Sequence, residues 1–594
     1  MAKMTGAQAV VRCLEHEGVE YVFGMSGHGN LPLLDALCDS TIKFIEVPHE
    51  QIAVHMADCY FRMTHRPGIV LTTLGPGFTN TVTGMADAMQ DCSAVVMLSG
   101  NAPVSHSGVE AYQEVSFHHD GSQEEVLRPI VKRTWRVSHH RRLPYILGRA
   151  LNFALSGCPG PVLVDVPMDV FSMTADFPSP DSRARRVARQ RSAASDEDIA
   201  RALKILGGAE RPLIFAGGGV LLSEATDELT EFGQYMHIPV ITSLIAQSAM
   251  RNDHPLYGGV TGAVGTPTAH FLASHADAVL ALGSRFSDMD CSSWNPEFFF
   301  SPSKAKLIQV DIDPTQVGKL FPVDVGIVAD AKTVLRQLTT AARKASAPKR
   351  RSAWLVEFEE VRERWRKEIE AAQKSEECPI AVERLVAEIR AVLPPSGILL
   401  APLGARYFVA QHFTVVEPGT HIVASGHGTM GHVVAGALGA KLGRPNVPVM
   451  CLTGDGGFRS VSPALAVAVE YNIPVVWVIL NNCSYNIIEL YQNRFYHREI
   501  GAVFKTPDGK QYNPDYVALA RAYGADGVRV ERPDEIRPSL LKALGSGRPF
   551  VVDVVVTQRP KLRASGFWEA NRYLKLGWNE TDDLSVARGF GDSF

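Results

Sequence analysis

The segment Cys451-Leu-Thr-Gly-Asp-Gly-Gly-Phe-Arg-Ser460 and the pair Asn481-Asn482, separated from its Gly-Asp-Gly by 24 residues, decide the fold of this chain. An apolar run leads into the first segment, a helix-like stretch (461–471) follows it, and a second apolar run ends at the asparagines. Two such runs around a helical pattern predict a βαβ unit with parallel strands. Both strands would end in polar residues, at the edge where open α/β sheets bind ligands.

The polar residues at this edge favour a magnesium site. The Asp455 carboxylate, the Asn482 amide and a nearby loop carbonyl offer the oxygen ligands that Mg²⁺ prefers. Such a site keeps positions open for phosphate oxygens, and the adjacent glycines let the backbone approach a diphosphate. A plain strand–turn–helix with a glycine-rich turn is the alternative, but the spacing and the strand context favour a site for a diphosphate and Mg²⁺.

Three further motifs complete a pattern that resembles the thiamine-diphosphate (ThDP) enzymes. They are similar to the family's strand-to-helix segment with the cofactor-activating glutamate, the glycine turn after the next strand and the loop that bends the cofactor. The resemblance runs from about residue 5 to about residue 556 and is closest to the acetolactate synthase and glyoxylate carboligase group. The motifs are Phe44-Ile-Glu-Val-Pro-His-Glu50, Gly75-Pro-Gly-Phe-Thr-Asn80 and Ser425-Gly-His-Gly-Thr-Met-Gly431.

This resemblance implies a role for each matching residue. Glu50 would hydrogen-bond the aminopyrimidine ring of ThDP and promote the tautomer that acts as a base. Met430 would be the apolar wedge between the two rings, and the Gly428 carbonyl would accept a hydrogen bond from the exocyclic amine. Asp455, Asn482 and the carbonyl of Ser484 would ligate Mg²⁺. The remaining cofactor contacts would come from glycines, at Gly77, Gly454 and Gly456.

The fold class implied by the resemblance is α/β, with three consecutive doubly wound parallel-sheet domains and a C-terminal tail. Two Pro/Ser/Arg-rich stretches, 177–191 and 346–352, predict the boundaries on either side of the middle domain, and a charged helix is predicted over 358–374. We expect a pyrimidine-binding domain at 1–178, a central nucleotide-binding-like domain at 195–345, a diphosphate-binding domain at 378–558 and a tail or lid at 559–594.

The middle domain offers a second ligand site. Three of its predicted strands end in glycine or polar residues, which is weak evidence for a bound nucleotide. In the synthase group this domain often holds FAD, and in CoA-dependent relatives it holds ADP. An empty crevice in a purely structural domain is the alternative. The residues that favour a nucleotide are Gly218, Arg285, Asp311 and Asp313.

Composition agrees with a large enzyme that binds small molecules. The chain has 594 residues, 46% apolar content and a net charge of −4, so nothing in its charge predicts binding to nucleic acid or an anionic membrane. No apolar run approaches the ~18 residues that span a bilayer, and the N-terminus lacks the apolar core of a signal peptide. Nine cysteines without a C-x-x-C pair predict buried, reduced thiols in a cytoplasmic protein. The family resemblance implies a homodimer or homotetramer.

The substrate is harder to predict than the cofactor. Gln113 and His28 lie in loops where an active-site amide and an acid/base group are expected, although both residue types also occur as ordinary loop residues. Glu489 occupies a position that is usually apolar in the acetolactate synthase loop. A carboxylate there either acts as a base on a substrate hydroxyl or points outward beside Arg494. The aromatic and basic stretch 563–578 suits either a lid over a CoA thioester or a subunit contact.

These features predict an enzyme that makes or breaks a C–C bond next to a carbonyl or carbinol carbon. Our specific prediction is a lyase that cleaves a 2-hydroxyacyl-CoA to formyl-CoA and an aldehyde or ketone, reversibly. The first alternative is a 2-oxoacid carboligase of the acetolactate synthase or glyoxylate carboligase kind. Further alternatives are a ThDP-dependent hydrolase of cyclic diketones and a binding or regulatory subunit without activity. The joint presence of Glu50, Asp455 and Asn482 argues against the last of these.

Overall fold

Three six-stranded sheets follow one another along the chain, and every strand pair within them is parallel. The computed structural model describes residues 2–115, 123–177, 191–345, 352–424, 426–560 and 565–576. Strands such as Gly68-Ile-Val-Leu-Thr72 are buried at every position, as expected where helices cover both faces of a parallel sheet. The predicted succession of three doubly wound α/β units is thereby confirmed.

The first unit has the sheet order β3-β2-β4-β5-β7-β6, and a short antiparallel pair of β1 and β8 joins its two ends. Its strands are β1 (Ala2–Thr5), β2 (Tyr21–Gly24), β3 (Lys43–Glu46), β4 (Gly68–Thr72), β5 (Val95–Asn101), β6 (Arg133–Arg136), β7 (Val162–Pro167) and β8 (Thr174–Phe177). Its helices are α1 (Gly6–His16), α2 (Leu31–Cys38), α3 (Glu50–Thr64), α4 (Pro76–Thr79), α5 (Val82–Gln90), α6 (Gln123–Leu127), α7 (Leu143–Leu155) and α8 (Met168–Ser172).

The second unit has the order β11-β10-β9-β12-β13-β14, in which the chain direction across the sheet reverses between β9 and β12. This is the strand order of dinucleotide-binding folds, whose ligands bind at that reversal. Its strands are β9 (Pro212–Ala216), β10 (Val240–Thr242), β11 (Tyr257–Val260), β12 (Ala278–Leu282), β13 (Lys306–Asp311) and β14 (Val325–Val328). Its helices are α9 (Asp196–Gly208), α10 (Gly219–Leu222), α11 (Thr226–Met236), α12 (Pro267–His275) and α13 (Ala331–Lys344), followed by α14 (Ser352–Gln373).

The third unit repeats the strand order of the first, as β16-β15-β17-β18-β20-β19. Its strands are β15 (Ile398–Ala401), β16 (His421–Val423), β17 (Val449–Gly454), β18 (Val476–Asn481), β19 (Asp526–Val530) and β20 (Phe550–Val555). Its helices are α15 (Val382–Val392), α16 (Arg406–His412), α17 (His432–Gly443), α18 (Asp455–Ser460), α19 (Ala464–Glu470), α20 (Asn486–Tyr496), α21 (Tyr516–Ala522) and α22 (Pro533–Gly545), and α23 (Ala570–Leu574) lies in the tail.

Two helix predictions need correction. The charged helix predicted over 358–374 begins six residues earlier, at Ser352. The helix predicted over 461–471 is α19, which begins only at Ala464, after Pro463, and ends at Glu470, and a separate short helix, α18, ends before it at Ser460. Most of the two predicted boundary stretches, at 178–190 and 346–351, lies outside the described residues.

Helices α3 and α17 join the first and third units into one core. A side chain at Gly439 would place its Cβ 1.9 Å from the Met56 carbonyl oxygen, and one at Gly436 would place it 2.4 Å from Cys59 Sγ, so glycine permits the close approach. One continuous apolar cluster extends from the first sheet through both helices into the third. The core thus fixes the loop that leads into α17 against the first unit.

Candidate active site

The Gly-Asp-Gly motif lies at the carboxyl end of β17, where Asp455 starts α18. Asp455 is 1% exposed, and its Oδ2 accepts hydrogen bonds from the backbone N–H groups of Asn482 (3.1 Å) and Cys483 (2.7 Å). The Asn513 amide donates to the same oxygen at 2.7 Å. Burial raises the pKa of Asp455, while these donors oppose the rise. The carboxylate is therefore held in one orientation by groups from two loops.

The structure brings the other two predicted metal ligands next to Asp455. The backbone of Asn482 contacts the Asp455 carboxylate, and the Oδ1 of Asn482 accepts a hydrogen bond from Ser484 Oγ at 3.3 Å. Gln558 lies three residues beyond the end of β20, and its side-chain N–H donates to the Asn482 carbonyl at 2.7 Å. These contacts fix the loop that follows β18 close to the Gly-Asp-Gly turn.

This half-site fits a magnesium ion and a diphosphate. Carboxylate, amide and carbonyl oxygens are the ligands of a hard cation, and Mg²⁺ sites usually leave positions for phosphate oxygens. A Cβ added at Gly454 would meet no atom within 4 Å, so the turn before Asp455 opens onto free space. Asp455, Asn482 and the Ser484 carbonyl would hold the ion, and Gly454 leaves room for the diphosphate.

Glu50 lies at the start of α3, and the His49 side chain caps that helix by accepting a hydrogen bond from the Gln51 N–H at 3.2 Å. Glu50 is only 3% exposed, and its Oε2 accepts a hydrogen bond from the Asn80 amide at 2.9 Å. A side chain at Gly77 would place its Cβ 3.1 Å from Glu50 Oε1. The glycine therefore leaves space at the second carboxylate oxygen, which suits a hydrogen bond to a planar heterocycle.

The loop predicted to bend the cofactor is tied to the first unit. The Gly426 N–H donates to Asp91 Oδ1 at 2.9 Å, and the Arg62 guanidinium contacts both Asp91 (3.3 Å) and the Val423 carbonyl (3.1 Å). Further along this loop, Gly428 has φ +73°, a backbone conformation that favours glycine. Met430 is 50% exposed, so its side chain is available to a bound group.

His28 and Gln113 lie near the pyrimidine half-site, which is the region around Glu50, Gly77 and Asn80. Gln113 contacts the glycine turn, since a Cβ at Gly75 would lie 2.6 Å from the Gln113 carbonyl oxygen. His28 is exposed, with its ring centre 5.6 Å from that of Tyr112, and both line a cavity of about 400 Å³. The neighbouring Gly29 N–H donates to Thr73 Oγ1 at 3.1 Å, on the loop that leads to Gly77. The two loop residues thus remain candidates for substrate contacts.

Glu489 lies in the first turn of α20 and is partly buried. The Asn486 amide is 3.5 Å from its Oε2 and donates to the Gln558 carbonyl at 2.7 Å. Because Gln558 also donates to Asn482, a chain of side-chain contacts connects Glu489 to the metal half-site. This position is compatible with both predictions for the Glu489 carboxylate, which are a base that faces the substrate and a group that points outward beside Arg494.

The predicted nucleotide residues of the central unit line one large cavity. It has a volume of about 1180 Å³ and opens at the reversal between β9 and β12, where Gly218 and Arg285 lie. Asp311 and Asp313 also line it, and burial raises the pKa of Asp311. Small-molecule pockets commonly measure about 300–1,000 Å³, so the cavity is large enough for a dinucleotide.

The described part of the tail, 565–576, packs on the central unit. Ser565 Oγ donates to the Gly265 carbonyl at 2.8 Å and lies 3.1 Å from His270 Nδ1. The Trp568 indole N–H donates to Asp288 at 2.8 Å, and its ring centre is 6.3 Å from that of Tyr491 in α20. The tail therefore connects the central unit with the helix that carries Glu489. Residues 561–564 and 577–594 of the predicted tail or lid lie outside the described residues.

Three residues of the candidate site were missed in the sequence. They are Asn80, Asn513 and Gln558, which hold Glu50, Asp455 and Asn482 respectively. Asn80 is the last residue of the glycine-turn motif, and its place in that motif was a signal that could have indicated a role. The other two reach the site from loops that carry no motif, so nothing in their local sequence indicated a role.

Comparison with known proteins defines the class to which this fold and site belong. Residues 4–124 match the family description "Thiamine pyrophosphate enzyme, N-terminal TPP binding domain", residues 199–338 match the central domain and residues 404–554 match the C-terminal TPP binding domain. Thiamine pyrophosphate is another name for ThDP. The chain is thus a ThDP-dependent enzyme that forms or cleaves C–C bonds.

Full-length relatives define the family within this class. A probable acetolactate synthase large subunit of Methanocaldococcus jannaschii is 35% identical over 93% of this chain and 92% of its own length. The acetolactate synthase large subunits of Corynebacterium glutamicum (34% identical; 93% and 87%) and Haemophilus influenzae (32%; 94% and 95%) are similar over comparable lengths. The chain belongs to the acetolactate synthase family of ThDP enzymes.

The described part of the chain contains no helix that is both long and apolar enough to cross a membrane.

The prediction for the cysteines was wrong in part. Within the described residues none of the nine forms a disulfide, but Cys38 and Cys378 are exposed and Cys13, Cys92, Cys158 and Cys483 are partly exposed.

Proposed function

We propose that this protein is a ThDP- and Mg²⁺-dependent carboligase that joins 2-oxoacids, a function that fits relatives named acetolactate synthase. The observation that carries the proposal is the likeness to these relatives over 93% of the chain, through all three α/β units. The proposal replaces the 2-hydroxyacyl-CoA lyase as the leading function, because the relatives support the carboligase alternative more directly. The two buried carboxylates, Glu50 and Asp455, support the ThDP chemistry.

Each half-site has a defined task in this proposal. When bound, ThDP supplies a nucleophilic carbon that adds to the carbonyl group of a 2-oxoacid. Glu50 would bind a ring nitrogen of the aminopyrimidine, with Asn80 fixing the carboxylate. Asp455, Asn482 and the Ser484 carbonyl would hold Mg²⁺ and thereby the diphosphate. Gly428 and Met430 would position the two rings, and His28 and Gln113 would face the substrate.

The central cavity supports a second cofactor in the proposal. Arg285 and the buried Asp311 line a space large enough for an adenine dinucleotide, at the edge of a sheet with the dinucleotide-binding strand order. We propose FAD or ADP as its occupant, and an absorbance band of bound flavin in the purified protein distinguishes the two.

We also propose the domain limits 1–178, 195–345 and 378–558, with a tail at 559–594, and an assembly of two or four identical subunits.

The lyase acting on 2-hydroxyacyl-CoA is the second candidate, and Glu489 is the observation that favours it. Breaking the C–C bond of a 2-hydroxy compound requires a base for the hydroxyl proton. Glu489 is a partly buried carboxylate connected to Asn482 through Asn486 and Gln558. The tail segment 565–576 next to α20 adds aromatic and basic groups that suit a nucleotide-bearing thioester.

One pair of incubations separates the two functions. The purified enzyme with ThDP and Mg²⁺ is given pyruvate or glyoxylate in one reaction and a series of 2-hydroxyacyl-CoAs in the other, and the products are identified by mass spectrometry. The carboligase predicts a condensed hydroxy-oxoacid and CO₂ from the first reaction. Formyl-CoA from the second reaction, with no product from the first, would overturn the proposal.

The variant Glu489→Gln sharpens this test. If Glu489 is the base of a lyase, kcat for thioester cleavage should fall by roughly 10²–10⁴-fold, the usual range for losing a general base. If the enzyme is a carboligase in which Glu489 transfers no proton, the variant should keep kcat for carboligation within a few-fold of the wild-type value. Glu499→Gln is the matched control, because Glu499 pairs with Lys505 at 2.7 Å and belongs to neither half-site.

A further inference from the structure

Cys92 and Cys158 are 66 residues apart in sequence but adjacent in the fold. Cys92 follows the end of α5, and Cys158 lies in the loop between α7 and β7. Their sulfur atoms are 2.9 Å apart, which is about 1 Å longer than the ~2.0 Å bond of a disulfide. Both side chains are partly exposed, so small reagents can reach them. The proximity was not apparent from the sequence, where the cysteines occur singly.

The surroundings of the pair favour reaction at Cys92. The hydrogen bond from the Cys158 thiol lowers the pKa of Cys92, burial opposes this, and the positive charge of Arg285 lowers it further. Lys132 is also close, since its ammonium group donates to the Cys158 carbonyl at 2.7 Å. The carboxylates of Asp91 and Asp311 raise the pKa of Cys92, so its lowering comes mainly from the hydrogen bond of the adjacent Cys158 thiol. A partly exposed cysteine with a lowered pKa has the character of a reactive thiol. In contrast, burial alone raises the pKa of Cys451.

We propose that Cys92 and Cys158 are a modification site, a dithiol that a low-molecular-weight disulfide such as oxidised glutathione converts reversibly to a disulfide. The Cys92 thiolate attacks one sulfur of the small disulfide, forms a mixed disulfide and releases one small thiolate. The Cys158 thiolate then attacks the Cys92 sulfur, closes the Cys92–Cys158 bond and releases the second small thiolate. The two cysteines lose two electrons and two protons, and the small disulfide is reduced to two thiols.

The local backbone can accommodate the closure. Gly157, next to Cys158, has φ +58°, and a Cβ there would meet no atom within 4 Å, so the loop has free space beside it. On the other side, Cys92 itself has φ +56°, which is uncommon for a residue with a side chain. The two sulfur atoms must approach by about 1 Å to form the bond, and the Cys158 loop has free space beside it for this movement.

The pair lies where two functional regions meet. Both cysteines line the 1180 Å³ cavity, and the preceding Gln90 carbonyl accepts a hydrogen bond from Arg285 at 2.6 Å. Asp91 lies between Gln90 and Cys92 in the chain. Its carboxylate accepts a hydrogen bond from the Gly426 N–H of the loop that leads to Met430. Any displacement of Cys92 on oxidation would reach both contacts, because they involve the two residues that immediately precede it in the chain.

Thiol counting and peptide mapping test the proposal on the full-length protein. The protein is equilibrated with a large excess of oxidised over reduced glutathione, free thiols are alkylated, and digested peptides are analysed by mass spectrometry. We expect Cys92 and Cys158 of the wild type to lose their free thiols, to yield a peptide pair joined through these two cysteines, and to regain both thiols in excess reduced glutathione. Cys38→Ser, which removes an exposed cysteine remote from the pair, should behave in the same way.

The single variants make the result decisive. Cys92→Ser and Cys158→Ser should each lack the internal link, and the remaining cysteine should carry a bound glutathione instead. Thermal melting of each reduced variant checks that it is folded. The absence of the linked peptides from folded, fully oxidised wild type, or an internal link that persists in Cys92→Ser, would overturn the proposal. Neither result depends on the substrate of the enzyme.

Discussion

The carboxylate groups of Glu50 and Asp455 are both buried, yet their surroundings differ. Asp455 accepts hydrogen bonds from three backbone N–H groups and one amide, which hold an anion in place without neutralising it. For Glu50, Asn80 donates to one oxygen and Gly77 leaves space at the other. The first arrangement suits a metal ligand, and the second suits a carboxylate that bonds one ring atom of a cofactor.

The first prediction concerns Glu50→Gln. The amide keeps the size of the side chain and its contact with Asn80 but provides no carboxylate for the aminopyrimidine. We expect ThDP to bind, while turnover and proton exchange at the thiazolium carbon, followed by NMR in deuterated water, fall by at least 10²-fold. Glu20→Gln is the control, because Glu20 pairs with Arg66 on the surface. Exchange at the wild-type rate would remove Glu50 from the mechanism.

The candidate metal ligands Asp455 and Asn482 were predictable from the sequence, whereas the residues that contact them were not. Asp455 and Asn482 follow buried strands at a spacing that places both at one sheet edge, and the structure brings them into contact. Asn513 and Gln558 reach the same place from loops, through contacts that depend on how distant segments fold. A short motif records the position of a strand end, but long-range side-chain contacts leave no local pattern.

At the scale of elements, α3 and α17 carry the packing between the first and third units. Apolar runs predicted strands such as β17 and β18, because a strand covered on both faces must be apolar along its length. The pairing of α3 with α17 could not be predicted, since a helix with small residues is compatible with many partners. Gly436 and Gly439 are required there only because Cys59 and Met56 approach them so closely.

The second prediction tests this contact through Gly439→Ala. Its Cβ would lie 1.9 Å from the Met56 carbonyl oxygen, so the helices must separate. We expect a loss of about 1–3 kcal/mol of stability, the usual cost of overpacking, seen as a lower midpoint of thermal unfolding. Gly207→Ala in α9 is the matched control, because its Cβ meets nothing within 4 Å, and it should leave the midpoint unchanged or raise it.

The third prediction concerns the buried pair of Asp58 and His432, which connects the same two helices at 2.5 Å. Burial lowers the pKa of His432, but the bond and charge of Asp58 outweigh it and raise the pKa above its usual 6.5. Burial raises the pKa of Asp58, but His432 and Arg62 outweigh it and bring the pKa from 3.8 to about 2. The imidazolium–carboxylate form is therefore favoured in the folded protein.

The sign of the pH dependence follows from these shifts. The contribution of His432 is fully present below pH 6.5 and is lost as pH rises through its raised pKa. The contribution of Asp58 is present above pH 3.8 and is lost as pH falls towards 2. We expect the thermal midpoints of wild type and His432→Gln to differ most between these values and to converge at higher pH. A difference that grows above pH 7 would contradict the assignment.

At the scale of the whole molecule, several apolar side chains around the two half-sites are exposed in the single chain. Met430 is 50% exposed, Ile488 is 51% exposed and Tyr485 is 37% exposed, and all three lie in loops or helices next to the metal half-site. A second subunit that supplies Glu50 to this edge would cover such groups. We therefore predict that Glu50 of one subunit and Asp455 of another complete each active site.

The fourth prediction tests this assembly by mixing two inactive variants, Glu50→Gln and Asp455→Asn, through co-expression. If each site combines two chains, one chain must provide an intact Glu50 and its neighbour an intact Asp455. With equal amounts and random association, each condition is met half of the time, so about a quarter of the wild-type activity should return. The fraction is the same for a dimer and a tetramer, because it counts pairs of chains around a site. If one chain supplied both residues, every site would contain one defect, and the mixture would remain as inactive as each variant alone.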